Sequence, residues 1–584
     1  MTEASTLRSA AGMGAITAVS RVVGFGRVLV VAAVLGTTYL GNAFQSANSV
    51  SNVVFELVAA GALSSVLVPV FVDLLARSQE EAEAVAGGVL GVAMGALGVL
   101  AAVGVALAPT LAHLLTIGVP AEVASDQRRL ISFLLVFFIP QVVLYAVATV
   151  ATGVLHARQR FLAVAAAPIA NTVVMVACLL VLRQATDAAP TLDLTAGERA
   201  LLAAAGTGGV VAFTGVIVIA CRASGFHLRP RIRNLHAGVG PALRRAGWGV
   251  VLHSSAGVLL AGSLLVGAAV EGGVVAYQAA WVFFLAPYAI LSQPIHTAIL
   301  PELVVEARSG DLERFTASVR WSVERIALAL VPVSALLVAV AAPAMRVVSV
   351  GRAGVGDGPA LLGAALATLA VGLLPYGAFL LLARASYALD DSRTPGQVAL
   401  LVAAAGAATM AIGAPLTHGT ARIALIGAAH SGAHLVGALV LGASRPSPRR
   451  PRRPRLLAPL VVAGAVAAAT AWAAGRAIAG TDPTRAVDLL ACAGATGVVV
   501  AILGGAALAT ASAAASPHGP RCASPAHRSL RGGRRARPGA VMRRLLLAIA
   551  AAVVVVVVVG VDRAAAHPRR CRRSGGCSSS ACRA

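Results

Sequence analysis

The chain has 584 residues, of which 58% are hydrophobic and only 12% are charged, and its mean hydropathy is +0.85. Soluble globular proteins carry about 25% charged residues, so this composition excludes an ordinary soluble protein and indicates a membrane protein. The formal net charge of +24 would suggest a nucleic-acid partner in a soluble protein. Here the arginines separate long apolar runs, which is the pattern of membrane topology, and we expect no nucleic-acid partner.

A helix that spans a bilayer needs roughly 20 mostly apolar residues. By this measure the sequence predicts an all-α polytopic membrane protein with about fourteen spanning helices, at approximately residues 11–36, 43–72, 84–109, 130–155, 161–182, 200–221, 246–270, 274–300, 325–345, 359–383, 396–415, 423–443, 456–479 and 487–511. The first apolar run is too long for a cleavable signal peptide and carries arginines. We therefore expect it to remain in the mature protein.

The loops between these spans differ in their arginine content. Loops after even-numbered spans hold roughly twice as many arginines as loops after odd-numbered spans, and Arg384 and Arg393 belong to the loop after the tenth span in this assignment. Because cytoplasmic loops carry the excess positive charge, the pattern places the N-terminus in the cytoplasm.

The sequence changes character after the fourteenth span. Residues 512–543 predict a disordered basic linker, residues 544–562 a further spanning helix, and residues 563–584 a basic tail that contains Cys571, Cys577 and Cys582. These cysteines lack the spacing of a zinc site. A metal site or disulfides are alternatives for the trio, but an unstructured tail is the favoured interpretation, and we predict no metal ion and no cofactor.

Two arginines lie inside the first predicted span. Arg21 and Arg27 are each roughly two or more turns from either end of the helix, and a guanidinium at the bilayer centre costs on the order of 2.5 to 3.5 kcal/mol. Their side chains either reach back to the membrane surface or face a water-filled or anion-binding site, and we favour the second interpretation. The two residues are about 120° apart on an ideal helix, and Gly24 and Gly26 would permit a bend that aims both inward.

The second predicted span carries amides instead of cations. Asn42, Gln45, Asn48 and Asn52 lie along it, and the last three share one face that continues towards Glu56. Lipid would not tolerate such a polar flank, so it faces protein or a wet cavity. Hydrogen bonding between helices and cavity lining are both open interpretations.

Other ionisable groups in the spans are few. The scarcity of carboxylates argues weakly against a proton or sodium pump. His430 and His434 are four residues apart, a spacing that can ligate a metal, but no third ligand is evident and a polar packing face is favoured. His253 and His296 are interpreted as hydrogen-bonded structural groups.

Four stretches resemble the motifs of one known family. They are "SRVVGFGRVLVVAAVLG", "AFQSANSVSNVVFELVAAGALSSVLVPVF", "GVLHARQRFLAVAAAPIANTVV" with Arg160, Phe161, Pro168 and Asn171, and "ASYALDDSRTPGQVAL" with Tyr387, Asp391, Arg393, Thr394 and Pro395. The proline-bounded "APYAILSQPIHTAILPEL" adds to them. In this order and spacing the chain resembles the MurJ/MviN family of bacterial lipid II flippases, part of the MOP exporter superfamily, over about the first 511 residues.

The resemblance implies two six-helix lobes around a central cavity. The N-terminal lobe would be residues 1–221, the C-terminal lobe residues 222–443, and residues 444–511 would form two helices with a groove for the lipid tail. Arg21 and Arg27 match the paired arginines implicated in holding the diphosphate of the substrate. The chain departs from the family at two commonly cationic positions, which fall on Phe55 and near Val282, and at an acidic position, which falls on Asn42.

The function that the resemblance implies is translocation of lipid II, the undecaprenyl-diphosphate precursor of peptidoglycan, to the outer leaflet of the bacterial inner membrane by alternating access. This transport needs no covalent chemistry, so we do not expect an enzyme. Alternatives are export of another polyprenyl-linked glycan or an amphiphile, or a non-transporting scaffold for cell-wall synthesis or division proteins.

Overall fold

The computed structural model describes residues 3–55, 67–186, 190–232, 256–444, 457–479 and 484–515. Its regular secondary structure within these ranges is helical throughout. The α-helices are α1 (Glu3–Leu35), α2 (Tyr39–Phe55), α3 (Val68–Arg77), α4 (Gln79–Ala106), α5 (Ala108–Leu115), α6 (Ala121–Phe138), α7 (Gln141–Ala157), α8 (Phe161–Ala185), α9 (Ala196–Ala223), α10 (Ala256–Ala268), α11 (Gly273–Pro287), α12 (Gln293–Arg308), α13 (Leu312–Val348), α14 (Gly358–Val371), α15 (Leu373–Ala388), α16 (Arg393–Gly413), α17 (Gly419–Ala443), α18 (Leu457–Ala479) and α19 (Arg485–Ala515).

The all-α polytopic class predicted from the sequence is confirmed. Within the described ranges, ten helical segments are long and apolar enough to cross a membrane, or eleven if the bent pair α14 and α15 counts as one span. The protein is therefore a multi-pass membrane protein. The count of fourteen spans stays a prediction.

Several predicted spans consist of two helices. The fourth divides into α6 and α7 at Pro140, and the tenth bends by 45° where α14 meets α15. In the eighth, a π-helical turn at Tyr288–Ser292 joins α11 to α12 directly after Pro287. Proline lacks the N–H that would continue the hydrogen-bond ladder, so Pro140 and Pro287 interrupt the regular helix locally. Hydropathy alone does not show these interruptions.

Polar residues at the helix starts explain several boundaries that lie outside the apolar runs. Thr195 and Glu198 form a capping box before α9, Ser78 caps α4, and Asp311 accepts the backbone N–H of Arg314 before α13. Each cap satisfies an N–H group that has no partner within its helix. For this reason α9 and α13 begin several residues before the predicted spans.

Buried apolar residues form four main clusters. Two lie among α1–α9, which we call the first bundle, and the largest lies among α10–α17, the second bundle. A smaller one joins α18 and α19 to α13. Val28 of α1 packs in the cluster of the second bundle, and Leu264 and Val274 pack in a cluster of the first, so the two bundles share packing at one border.

The domain boundaries drawn from the sequence stay predictions. Residues 233–255, next to the border drawn at residue 221, lie outside the described ranges, as do residues 516–584. The latter hold the predicted further helix, the cysteine-containing tail and nearly all of the predicted linker. Residues 512–515 of that linker belong instead to α19.

A buried ion pair fixes α19 against α13. Arg346 donates from Nε and Nη2 to both carboxylate oxygens of Asp488, at 2.6 to 3.0 Å, and the Asp488 side chain is only 2% exposed. We expect Asp488→Ala to lower the free energy of unfolding by about 2 to 3 kcal/mol, because it leaves a half-buried guanidinium without its partner. Thermal unfolding in detergent measures this.

The matched control is Asp126→Ala, which removes an exposed pair with Arg129 and should cost less than about 1 kcal/mol. Equal losses in the two variants would contradict a stabilising role for the buried pair.

Candidate functional site

The two bundles meet where α2 begins and where α10 turns into α11. We call this contact the seam and define it by residues 37–49 of the first bundle and residues 270–278 of the second. Asn42 is fully buried there. Its Nδ2 donates to the carbonyl oxygen of Val270 at 2.8 Å, and its Oδ1 accepts the N–H of Val274 at 3.0 Å. The amide thus bridges both sides of the α10–α11 turn and does not line a cavity in this conformation.

A second polar contact crosses the seam further along α2 and α11. Gln278 Nε2 donates to Ser49 Oγ at 2.7 Å, and that hydroxyl donates to the carbonyl oxygen of Gln45 at 2.7 Å. The side chains of Gln45 and Asn48 are half-buried. Of the polar side chains predicted on the second span, Asn42 pairs across the two bundles, and Gln45 takes part in the second contact through its backbone carbonyl oxygen.

The seam packs too tightly for a side chain at Gly272. This residue has φ +71°, and a Cβ there would lie 2.4 Å from Thr37. Both facts favour glycine. On the same border Arg352 donates to the carbonyl oxygen of Pro190, so several elements close this end of the molecule.

Arg27 and Asn52 share a partner that the sequence analysis did not identify. Asn52 Oδ1 accepts a hydrogen bond from Tyr145 Oη at 3.2 Å, and the Arg27 guanidinium acts electrostatically on the same tyrosine. Tyr145 is 7% exposed and lies on α7. The structure thus brings two of the predicted site residues together from α1 and α2, with α7 between them. A lone tyrosine in an apolar span was the available signal.

Arg21 lies on the same helix but in a different environment. Its side chain is exposed, as is that of its neighbour Val22, whereas Arg27 is half-buried. Neither arginine forms an ion pair with a carboxylate in the part of the chain that the structure describes. Glu56, the carboxylate predicted nearest to them, lies outside the described residues. The anion-binding role predicted for the two arginines stays a prediction.

The two positions at which the resemblance implies a cation carry apolar residues. Val282 is half-buried and packs on the core of the second bundle, and Phe55 is the last residue of α2, with a side chain outside the described set. Next to Val282, Phe283 meets Phe25 of α1 edge to face at 4.6 Å between ring centroids. The second bundle thus touches α1 through an aromatic contact close to Arg27.

One cation inside a helix was assigned to a loop by hydropathy. Arg384 lies within α15, one turn before its end, and is half-buried. Its charge acts on Tyr288 and His296. The predicted span ends at residue 383, directly before this charged residue, because hydropathy predicts a span only over apolar residues. The observed helix continues for about one more turn.

The third motif is a packing contact between α8 and α9. Asn171 lies on α8, and a Cβ at Gly209 of α9 would lie 2.6 Å from its Oδ1. Thr172 Oγ1 donates to the carbonyl oxygen of Pro168 within α8. At the start of that helix Arg160 is exposed, and Phe161 contacts the ring of His156 at 5.3 Å. These positions support the helix pair.

The fourth motif is a turn between α15 and α16. Asp391 Oδ1 accepts the N–H of Thr394 at 2.9 Å, Asp390 before it has φ +57°, and Pro395 is buried in the first turn of α16. Tyr387 and Arg393 are exposed. The Thr394 N–H holds the pKa of the Asp391 carboxyl below its usual range. The motif sets the start of α16.

The histidines in the predicted spans are His253, His296, His430 and His434. His296 is fully buried, with Ser292 Oγ 3.2 Å from its Nε2, so the hydrogen bond predicted for it is confirmed. His430 and His434 are also buried, inside the second bundle. His253 lies outside the described residues.

A sequence model of the family described as "Lipid II flippase MurJ" matches residues 31–478. The chain belongs to the MurJ family of lipid II flippases. This confirms the resemblance seen in the motifs and makes the protein a member of a transporter family. The matched range begins after Arg21 and Arg27, so their role rests on other grounds.

Two relatives carry the same description. The probable lipid II flippase MurJ of Rhizobium meliloti (strain 1021) is 26% identical over 397 residues, which cover 67% of this chain and 72% of the relative. That of Rhizobium tropici is 24% identical over 401 residues, covering 68% and 73%.

Solved structures share the fold. A lipid II flippase MurJ in an inward closed conformation matches with a TM-score of 0.67 and 16% identity, over 84% of this chain and 97% of that one. An inward-facing multidrug resistance MATE transporter of the MOP superfamily matches with a TM-score of 0.56 and 13% identity, over 77% and 95%. The MurJ-family chain therefore has the architecture of this exporter superfamily.

We expect Asp391→Ala to lower the free energy of unfolding by about 1 kcal/mol, because α16 loses its capping acceptor. Since the folded-state pKa of Asp391 lies below its unfolded value, the contribution is present above that unfolded value and is lost as the pH falls through the folded pKa. Unfolding measured from about pH 7 down to about pH 3 should show the difference from the unmodified protein shrink in acid. A constant difference over this range would contradict the capping role.

We expect Asn42→Ala to weaken the seam, because it removes two hydrogen bonds between the bundles. The ratio of separated to closed molecules should rise by about tenfold. Spin labels at Ile117→Cys and Leu416→Cys, exposed positions on the two bundles, measure the separation in a background without native cysteines. Thr409→Ala, which removes an exposed bond within one helix, should leave the distance distribution unchanged.

Proposed function

We propose that this protein moves lipid II from the cytoplasmic to the outer leaflet of the bacterial inner membrane by alternating access. The observation that carries the proposal is membership of the MurJ family over residues 31–478. Flipping requires a polar headgroup to cross hydrocarbon while its polyprenyl tail stays in lipid. No bond is made or broken, so the protein contributes binding groups and a conformational change rather than catalysis.

Arg21 and Arg27 are the groups that would bind the diphosphate. A guanidinium stays charged and donates in a fork that suits phosphate oxygens. The absence of a carboxylate partner in the described residues leaves both charges to a ligand. Tyr145, which interacts electrostatically with Arg27 and donates to Asn52, would orient the guanidinium, and Gln45 and Asn48 would contribute further polar surface.

The seam supports assignment of this conformation to a state closed at one membrane face. The arginine distribution predicts a cytoplasmic N-terminus, so α1 would end and α2 would begin at the outer face. The contacts of Asn42 and Gly272 would then close the outer side. In this orientation the headgroup would enter from the cytoplasm and leave once the seam separates.

The predicted lobes, 1–221 and 222–443, would be the two moving bodies of this cycle, with residues 444–511 holding the lipid tail. An alternative substrate is a different polyprenyl-diphosphate glycan. It is favoured by Val282, which packs in the core where the family commonly has a cation. The diphosphate chemistry is the same for both substrates, so assays with each lipid distinguish them.

We expect Arg21→Ala combined with Arg27→Ala to reduce lipid II flipping at least about tenfold, since each charge-assisted hydrogen bond contributes about 1.5 to 3 kcal/mol. The measurement is the leaflet distribution of lipid II in cells that depend on this protein. Arg129→Ala combined with Arg314→Ala removes two exposed cations and should leave flipping intact.

Arg27→Lys and Tyr145→Phe refine the test. Lysine keeps the charge but loses the fork, so flipping should fall less than with alanine, and Tyr145→Phe should cause a smaller loss still. Normal flipping by a stably expressed double alanine variant would overturn the diphosphate role. A normal leaflet distribution of lipid II after depletion of the whole protein would favour the scaffold interpretation.

A further inference from the structure

A cluster of two histidines and several aromatic rings lies inside the second bundle. We call it the histidine cluster and define it as Ser263, Tyr277, Trp281, Tyr376, His430 and His434. His430 is 4% exposed. Its ring lies 5.2 Å from that of Trp281 and 5.5 Å from that of Tyr277, measured between centroids. The proposed diphosphate site uses none of these groups.

The hydrogen bonds of His430 define its neutral form. Its Nε2 lies 2.9 Å from Ser263 Oγ and 3.2 Å from Tyr277 Oη. Ser263 already gives its proton to the carbonyl oxygen of Leu259 at 2.8 Å. We therefore assign Nε2–H as the donor to the serine, which leaves the lone pair on Nδ1. That Nδ1 is buried and has no hydrogen-bond partner among the residues that the structure describes.

A buried side-chain nitrogen without a hydrogen-bond partner calls for an explanation. The neighbouring His434 does not supply one, because its own Nδ1 lies 2.8 Å from the carbonyl oxygen of His430 and donates to it. The free lone pair of Nδ1 is chemically suited to a proton. Trp281 and Tyr277 lie within the roughly 6 Å over which aromatic rings attract a cation.

The groups packed around His430 come from five helices. Ser263 of α10, Tyr277 of α11 and His434 of α17 contact His430 itself. Tyr376 of α15 meets the ring of His434, and the Met410 sulfur of α16 lies 3.8 Å from Ser263 Oγ. In the described part of the chain, no carboxylate or guanidinium pairs with His430 or His434. An imidazolium buried there without water would therefore be costly.

α11 connects this cluster to the seam. Tyr277, Trp281 and Phe284 follow one another at intervals of four and three residues and share the face turned to the histidines. Val275 and Gln278 lie on a different face of α11, against Gly41 and Ser49 of the first bundle. Separation of the seam frees that face of α11, so a change in the hydration of the cluster and a change at the seam involve the same helix.

We propose that Nδ1 of His430 is a proton-binding site whose occupancy favours separation of the seam. A charge binds better to the conformation in which water reaches it, and a ligand shifts an equilibrium by its difference in affinity for the two states. Protons would thus promote the state in which the seam is open. This inference rests on the alternating access of the proposed function, but its test uses no lipid II, so each can fail without the other.

The first test reads protonation directly. Trp281 is kept as the only tryptophan by replacing Trp248, Trp321 and Trp472 with Phe, and its emission is followed from about pH 8 to about pH 4 in the full chain. A protonated imidazole quenches an adjacent indole, so emission should fall in acid. His430→Gln keeps an N–H donor but cannot take up a proton, and it should abolish the decrease. His434→Gln should retain it.

The second test reads the seam with spin labels at Ile117→Cys and Leu416→Cys. Acid should shift the distance distribution to longer values, His430→Gln should remove the shift, and His227→Gln, an exposed control, should keep it. The proposal is overturned if emission of the unmodified His430 protein does not titrate over this range. It is equally overturned if His430→Gln responds to acid like its parent in either test.

Discussion

A polar group inside hydrocarbon must find a partner in the protein or in trapped water, since lipid offers none. This constraint explains the arrangement of the polar residues on α1, α2, α7 and α17. Asn42 uses both ends of its amide across the seam, and Asn52 accepts from Tyr145. Among the described residues, Arg21 and Arg27 have no carboxylate partner and Nδ1 of His430 has no hydrogen-bond partner, so these groups are the informative ones.

α11 is the element on which these arrangements converge. Its first turn is held by Asn42, its middle contacts Ser49 through Gln278, and Phe283 meets Phe25 of α1. Its other face carries the rings around His430. Directly after it, Pro287 and the π-helical turn interrupt the regular hydrogen-bond ladder, and irregular turns of this kind often occur at functional sites. A helix held at one end and interrupted at the other is suited to transmit a movement of the first bundle to the second.

Hydropathy predicted the helical class and the position of most long apolar helices in the described ranges, because a long apolar run has few alternatives in a bilayer. It failed at boundaries set by polar chemistry, such as the capping box at Thr195 and the last turn of α15 with Arg384. Periodicity placed Gln45, Asn48 and Asn52 on one face of a helix but could not identify their partners. The spacing of residues shows which side of the helix they occupy and does not show which residue of another helix lies opposite. Tyr145 and Gln278 come from other helices, and only the packing of the bundles reveals them.

Val282 is relevant to the proposal that Arg21 and Arg27 alone bind a diphosphate. A cation there would lie between Trp281 and Phe283, on a helix already committed to the seam and to the histidine cluster. Burying a charge in that packing would require a counter-charge, and no carboxylate pairs with the histidine cluster beside it in the described residues. Concentrating the positive charge on α1 avoids that cost. The proposed anion site then lies on the helix that touches both bundles, so that binding of the headgroup and movement of the bundles would act on the same element.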